Sequence, residues 1–196
     1  RILFNGNGYD DAWIAEAERR GLMNLRTTPD ALPHMLDAKN VEMLTKHKVF
    51  SEAEIRSRCE INLDNYRKTV HIEARTMVDM ARRQILPAVE SYAAKLAETL
   101  ATKKALSPLL GGKYETSLLT KLSGLTDDIA AAADDLEAAL AEYHKIEDVT
   151  EAACFIRDEV LPKMDALRAP ADDAERFTAA EYWPFPTYGD LLFGVK

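Results

Sequence analysis

A run of apolar residues at three- and four-residue intervals constrains the fold more than any other feature of the sequence. The run follows Ser51 and comprises Ile55, Cys59, Leu63, Tyr66, Val70, Met77, Ala81, Ile85, Val89, Tyr92, Leu96 and Leu100. This spacing places all of them on one side of an α-helix. Ser51 and Glu54 form a capping box in front of it. The pattern predicts one amphipathic helix of about 50 residues, or two helices joined at a kink near Pro87, since proline lacks the backbone donor.

Two further stretches carry the same helical period. The second helix is predicted from about residue 116 to 144, with the apolar positions Leu118, Leu122, Leu125, Ile129, Ala132, Leu136, Leu140 and Tyr143. A third helix is predicted to begin at the capping residue Asp148, to bend at Pro162 and to end before Pro170. No segment after residue 10 alternates with a period of two. The sequence therefore predicts an all-α fold in which long antiparallel helices form a bundle.

The two ends of the chain are predicted to lie outside these helices. Residues 1–8 read RILFNGNG, which predicts a short extended piece that enters a tight turn. A short helix from Asp10 to a stop at Gly21 follows. The C-terminal stretch EYWPFPTYGDLLF (181–193) is the most aromatic part of the chain. Its two prolines predict an extended tail, and its rings predict that the tail is buried.

The composition excludes several classes of protein. The net charge is −8, and broad nucleic-acid binding requires a surplus of lysine and arginine. No apolar run reaches the ~18 residues of a transmembrane helix, so no membrane partner is expected. We see no export leader, and Cys59 and Cys154 form no paired motif, which predicts a reducing cytoplasmic environment. Because the chain begins without a methionine, we expect it to be part of a longer polypeptide.

No motif in the sequence indicates catalysis or metal binding. The turn NGNGY (5–9) precedes a helix N-terminus, but it lacks the spacing of phosphate-binding loops, which favours a plain turn. His71 and Glu73 point to different faces of a helix, while His34, His47 and His144 are scattered. No histidine follows a glutamate at the spacing used by carboxylate-bridged metal bundles. We therefore assign no catalytic, cofactor-binding or metal-binding residue to this chain.

A basic row on the long helix leaves two interpretations open. It comprises Arg56, Arg58, Arg67, Lys68, Arg75, Arg82 and Arg83. The row could bind an anion or an acidic partner. The favoured alternative is a solvated face that forms ion pairs with the acidic residues between 127 and 142. Cys59 is predicted to be a buried, inert thiol. The methionines at positions 35, 43, 77 and 80 are predicted to fill the core.

Four stretches together resemble the C-terminal part of type III glutamine synthetases, the large bacterial form. They read FNGNGYDDAWIAEAERRGLMNLRTTPDALP (4–33), KNVEMLTKHKVFSEAEIRSRCEINLDNYRKTVHIEA (39–74), MVDMARRQILPAVESY (77–92) and AEYWPFPTYGDLLF (180–193). They follow the order of the family and span nearly the whole chain. The stretch 105–170 resembles the family mainly in being helical.

The resemblance implies both an organisation and a function. Residues 1–70 would be the closing part of the catalytic domain, and residues 71–196 a C-terminal helical extension with the tail 181–196. The parent enzyme would make glutamine from glutamate, ammonium and ATP through a γ-glutamyl phosphate. Its ATP and its Mg²⁺ or Mn²⁺ would be bound by residues upstream of Arg1. This chain would then be a structural and assembly region, inactive alone, whose partners are the rest of the polypeptide and further copies in stacked hexameric rings.

Two questions stay open at this stage. The tail at 181–193 could fold back as an internal anchor on the bundle or the catalytic domain, or it could form a contact between subunits. An alternative to the synthetase assignment is a stand-alone helical interaction module that docks a partner helix along its groove. An exposed apolar stripe on the chain would favour that alternative.

Overall fold

A computed structural model describes residues 5–194, in which helices are the regular secondary structure and no strand occurs. The chain divides into two compact units that meet between Tyr66 and Arg67, inside helix α4. The prediction of an all-α fold is confirmed. The apolar residues of the predicted extended piece, at positions 1–4, lie outside the described residues. Within the described range, no helix is both long and apolar enough to cross a membrane.

Short helices make up most of the first unit. They are α1 (Asp11–Arg19), α2 (Thr28–Ala31), a 3₁₀ turn (Leu32–Leu36), α3 (Ala38–Lys46) and the first turns of α4 (Glu52–Met80). Gly21 ends α1 with a φ of 72°, as predicted. The N–H groups of Gly21 and Leu22 then donate to the carbonyls of Glu18 and Ala17, which satisfies the last turn of α1.

Three long helical segments make up the core of the second unit. The first segment (residues 67–106) contains the rest of α4, a π turn (Ala81–Ile85) and α5 (Leu86–Leu106). The second is α6 (Lys113–Tyr143). The third contains α7 (Val149–Phe155), a π turn (Ile156–Val160) and α8 (Leu161–Phe177). Helix α6 packs against both α5 and α8. Lys103 contacts Glu115 while Arg82 contacts Asp134, so the first two segments are antiparallel, as predicted.

The core of this unit is built from the predicted apolar stripes, with local shifts in register. Fully buried side chains include Val89 in the first segment, Leu122, Ile129 and Leu136 in the second, and Ile156 and Val160 in the third. Between Ile129 and Leu136 the buried alanine is Ala133, where the sequence pattern predicted Ala132. Because an α-helix turns once every 3.6 residues, Ala133 completes the step from Ile129 to Leu136 on the buried side.

Both predicted bends coincide with π turns. The turn at 81–85 directly precedes Leu86-Pro87, and the turn at 156–160 directly precedes Leu161-Pro162. A proline ring clashes with the carbonyl four residues earlier and offers that carbonyl no N–H. A π turn places one extra residue in the helical turn, which moves the carbonyl aside. The helices therefore continue past both prolines.

The prediction that the third helix ends before Pro170 is wrong, because α8 continues to Phe177 with Pro170 inside it. The continuation buries Ala174 and brings the Phe177 ring to 3.7 Å from the Nζ of Lys121 on α6. Ala166, whose carbonyl loses its helical donor, is exposed and can be solvated. Tertiary contacts thus outweigh the local cost of the proline.

The prediction of an extended tail is also wrong for its last residues, which form helix α9 (Tyr188–Phe193). Thr187 begins this helix with a capping box. The Thr187 N–H donates to Asp190 Oδ2 at 2.8 Å, and the Asp190 N–H donates to Thr187 Oγ1 at 3.2 Å. The signature Thr-x-x-Asp is present in the sequence, but the nearby prolines favoured the extended interpretation.

One acidic side chain is buried in the second unit. Glu115, in the first turn of α6, is 7% exposed and accepts a hydrogen bond from the Lys103 ammonium of α5. This hydrogen bond, together with one from a backbone N–H, lowers the pKa of the Glu115 carboxyl. The ion pair joins the two helices next to the connecting loop at 107–112.

Replacing Leu136 with alanine is expected to destabilise the protein by about 2–5 kcal/mol, because the substitution leaves a cavity on the fully buried side of α6. Urea unfolding followed by circular dichroism measures the change. Leu109→Ala is the control, since Leu109 is 94% exposed. Equal effects of the two substitutions would contradict the described core.

Replacing Pro170 with alanine is expected to stabilise the protein by about 1–3 kcal/mol, because it restores a helical donor inside α8. The matched control is Pro162→Ala, for which we expect a smaller change, since Pro162 lies at the start of α8 after a π turn. Thermal unfolding of the two variants provides the measurement. A loss of stability in Pro170→Ala would show that the helix does not continue through this residue.

Replacing Glu115 with glutamine is expected to lower the melting temperature at pH 7, and the difference from the wild-type protein is expected to shrink as the pH falls below 4.5. The pKa of the Glu115 carboxyl is lower in the folded protein than its ordinary value of 4.5, so the ionised carboxyl stabilises the fold at pH values above 4.5. This contribution is lost as the pH falls through the folded-state pKa. Melting curves of both proteins across this range test the expectation. Glu142→Gln, which removes an exposed pair with Lys145, serves as the control. A pH-independent difference would rule out the ion pair as its cause.

Candidate functional site

Ion pairs occupy much of the basic row. Arg82 contacts Asp134 at 2.6 Å and Glu137 at 2.7 Å, both on α6. These two carboxylates raise the pKa of the Arg82 guanidinium. Arg83 pairs with Asp79 at 3.2 Å within its own segment. Within the row, the acidic residues between 127 and 142 thus supply the complementary charge to Arg82, as the favoured interpretation predicted for the row.

Two more arginines of the row contact aromatic side chains. The Arg58 guanidinium lies 4.4 Å from the centre of the Phe50 ring, both in the first unit. In the second unit, Arg67 Nη1 donates to the Tyr143 hydroxyl at 3.0 Å. Such contacts position the aromatic side chains and shield apolar surface. A structural role therefore accounts for these arginines as well.

The structure brings together two histidines that seemed unrelated in the sequence. The rings of His71 on α4 and His144 at the end of α6 are 4.9 Å apart and nearly perpendicular. The ring of Tyr143 stacks on His71 with a centroid distance of 5.1 Å. No sequence signal indicated this cluster, because it arises from the antiparallel pairing of the first and second segments.

The surroundings of His71 disfavour a positive charge. Its Nε2 atom is buried and has no hydrogen-bond partner in the described part of the chain. Burial lowers the pKa of His71, and the nearby His144, Arg75 and Arg67 lower it further. Among residues 5–194, no group of three or more His, Cys, Asp or Glu side chains is placed to hold a metal ion. His71 therefore has the character of a neutral aromatic contact between helices.

The remaining candidates from the sequence are the turn at 5–9, the two cysteines and Met43. The turn at 5–9 is exposed, and the Tyr9 N–H donates to Asn7 Oδ1 at 3.1 Å. The Cys59 thiol is buried and donates to the Leu32 carbonyl at 3.3 Å, and burial raises its pKa. Cys154 is half-buried and also free. Met43 is 50% exposed, so the prediction that it fills the core is wrong.

The aromatic tail forms a groove on the second unit. The Tyr182 ring lies 5.3 Å from the Tyr92 ring of α5, and Trp183 and Phe185 approach the bundle beside it. A cavity of about 230 Å³ results, and we call it the tail groove. Its apolar wall comprises Met77, Met80, Ala81 and Ile85 of the first segment, Leu167 and Ala171 of α8, and Trp183 and Phe185 of the tail.

Exposed apolar side chains cluster at two places in the second unit. Around the loop at 107–112 they are Leu106, Leu109, Leu110 and Tyr114. In α9 they are Tyr188, Leu191, Leu192 and Phe193, which are 66–83% exposed. Exposed apolar surface of this kind marks contacts with other protein surfaces. The tail is therefore anchored at 182–185 and exposed at 188–193.

Comparison with known proteins connects the chain to one family. The family model described as the glutamine synthetase C-terminal domain matches residues 1–104, a range that covers the first unit and the second unit up to residue 104. The chain is 38% identical to a glutamine synthetase of Butyrivibrio fibrisolvens, in an alignment that covers 100% of the chain and 28% of that protein. It is 33% identical to a glutamine synthetase of Bacteroides fragilis, over 98% of the chain and 27% of that protein.

A third relative carries the name of the type that the sequence motifs resembled. The chain is 28% identical to the type-3 glutamine synthetase of Dictyostelium discoideum, over 98% of the chain and 27% of that protein. The chain thus spans little more than a quarter of the length of the relatives it matches. The resemblance stated from the motifs is confirmed, and the chain belongs to the glutamine synthetase C-terminal domain family.

Proposed function

We propose that this chain is the C-terminal structural and assembly region of a glutamine synthetase, which makes glutamine from glutamate, ammonium and ATP. The observation that carries the proposal is the alignment of the whole chain with the C-terminal quarter of proteins bearing that name. The helical bundle and its exposed apolar segments are consistent with a supporting and contacting role.

The chemistry of the reaction belongs to residues outside this chain. ATP phosphorylates the γ-carboxylate of glutamate, and ammonia then displaces the phosphate. Divalent ions such as Mg²⁺ or Mn²⁺ neutralise the phosphates in reactions of this kind. The residues described here do not fit such a metal site, because no suitable cluster of ligands occurs among them. Following the resemblance to the family, we assign the ATP and metal sites to the upstream polypeptide.

In this proposal, residues 1–70 complete the catalytic domain and residues 71–196 form the helical extension. The partners are the rest of the same polypeptide and further copies in stacked hexameric rings, in the cytoplasm. The exposed residues around 107–112 and in α9 support the presence of partner surfaces. Because Arg82 of the basic row is already paired with two carboxylates of α6, we assign association mainly to apolar contact.

The same exposed apolar residues favour one alternative, a stand-alone helical interaction module. The two functions differ in the size of the native protein. An antibody against this chain should detect a polypeptide several times heavier than 21.9 kDa in a source lysate if the synthetase proposal is right. A native protein of about 21.9 kDa would support the interaction module instead.

The complete polypeptide is expected to form glutamine when given glutamate, ammonium, ATP and Mg²⁺, and the isolated 196-residue chain is expected to form none. Chromatographic detection of glutamine provides the measurement. Omission of ammonium is the control for unrelated ATP hydrolysis. The proposal fails if the complete polypeptide makes no glutamine, and the assignment of catalysis to upstream residues fails if the isolated chain does.

A further inference from the structure

Two apolar surfaces of the second unit match each other in chemistry. One is the tail groove, a cavity of about 230 Å³ between the first segment, α8 and residues 183–185. The other is the exposed side of α9. The cavity has the volume of one or two large apolar side chains, which is smaller than the ~300–1,000 Å³ of typical small-molecule sites. It is therefore suited to side chains of a protein segment.

Helix α9 presents its apolar residues in a form that can dock. Tyr188, Leu191 and Leu192 follow the i, i+3, i+4 spacing and share one face. The capping box between Thr187 and Asp190 stabilises the helix before any contact is made, which lowers the entropy lost on docking. Aromatic rings such as Tyr188 and Phe193 each carry ~150–250 Å² of surface. With the two leucines, α9 therefore exposes several hundred Å², enough to mark an interaction site.

Helix α9 contributes no residue to the wall of its own groove. Phe185 already lines the groove, and only Pro186 and Thr187 separate it from α9. Phe185 precedes a proline, Pro186 has a fixed φ, and Thr187 is extended with φ −73° and ψ 163°. An extended connection of two residues does not reverse the chain. The tail therefore builds the wall of the groove with Trp183 and Phe185 but does not fill it.

The side chains of the groove are suited to an apolar helix. Met77 and Met80 are flexible and polarisable, and thioether sulfurs make favourable contacts with aromatic rings. At the rim, Arg168 is paired with Asp172 at 3.1 Å, so its charge is already compensated. The only acidic residue of α9, Asp190, is occupied by its cap. Glu175, an exposed residue, also lines the groove.

We propose that α9 of one copy of this chain docks into the tail groove of a second copy, with Leu191 and Leu192 as the anchoring side chains. The contact joins two different surfaces and is therefore heterologous, and such a contact forms a ring where the rotation between successive copies closes. This inference deepens the proposed assembly function and rests on it for the presence of other copies. It places one subunit contact at named residues.

Cysteine cross-linking between differently labelled copies tests this contact in the complete protein. One preparation carries Leu192→Cys and the other carries Met80→Cys, and the two are mixed, allowed to exchange subunits and oxidised. Mass spectrometry then searches for a disulfide-linked peptide pair that joins positions 192 and 80. Because neither preparation contains both cysteines, this peptide pair arises only between copies. We expect it in the mixture and expect it to disappear when a reductant is present.

Two controls keep the test decisive. Leu109→Cys replaces Leu192→Cys as the matched exposed leucine, and it should give no link to position 80. Ile85→Cys provides a second groove position if Met80→Cys lowers the melting temperature of the protein. If the link forms only in a variant that carries both Leu192→Cys and Met80→Cys, α9 docks in the groove of its own chain and the proposal is overturned. Absence of any link from position 192 would overturn it as well.

The outcome for the contact is separate from the outcome for the enzyme. If the wild-type protein makes glutamine but no link joins positions 192 and 80 in the mixture, the docking proposal fails and the function stands. If the link forms but the wild-type protein makes no glutamine, the docking stands and the assignment as a synthetase fails. Leu191→Asp should also reduce the mass of the assembly in light scattering, while Leu109→Asp should not.

Discussion

The second unit depends on burial of both sides of helix α6. This helix packs against α5 on one side and α8 on the other, and its leucines and isoleucine form the centre of the core. A long helix has little stability in water by its own propensity and gains most of it from a buried apolar face. With α6 in the middle, each of the three segments buries such a face. The position of the groove, the histidine cluster and the ion pairs all follow from this arrangement.

The prolines show how the long segments are adapted to their contacts. Pro87 and Pro162 each follow a π turn, and the first of these turns contributes Ala81 and Ile85 to the wall of the tail groove. A regular α-helix would present a different set of side chains at this point, because a π turn shifts the following residues around the helix axis. The irregularity in the backbone is therefore part of the surface that receives the tail.

The electrostatics of the second unit are mainly internal. An acidic chain carries a basic row on α4 and the π turn that follows it, and α6 supplies carboxylates of Asp134 and Glu137 to Arg82 of this row. Exposed pairs of this kind contribute little stability each, so they set the register of neighbouring helices more than they hold them together. Glu115 differs, because it is buried against Lys103 and fixes the two helices at the loop.

The sequence by itself determined the all-α class, the long helices and the antiparallel bundle, because an apolar period of 3.6 residues over tens of positions fits no other regular structure. It also determined the family, through motifs distributed along the chain. Only the tertiary structure decided that α8 continues through Pro170, that His71 meets His144, and that Trp183 and Phe185 leave a groove open. These features depend on contacts between residues far apart in the chain, which outweigh local preferences and leave no periodic signal in the sequence.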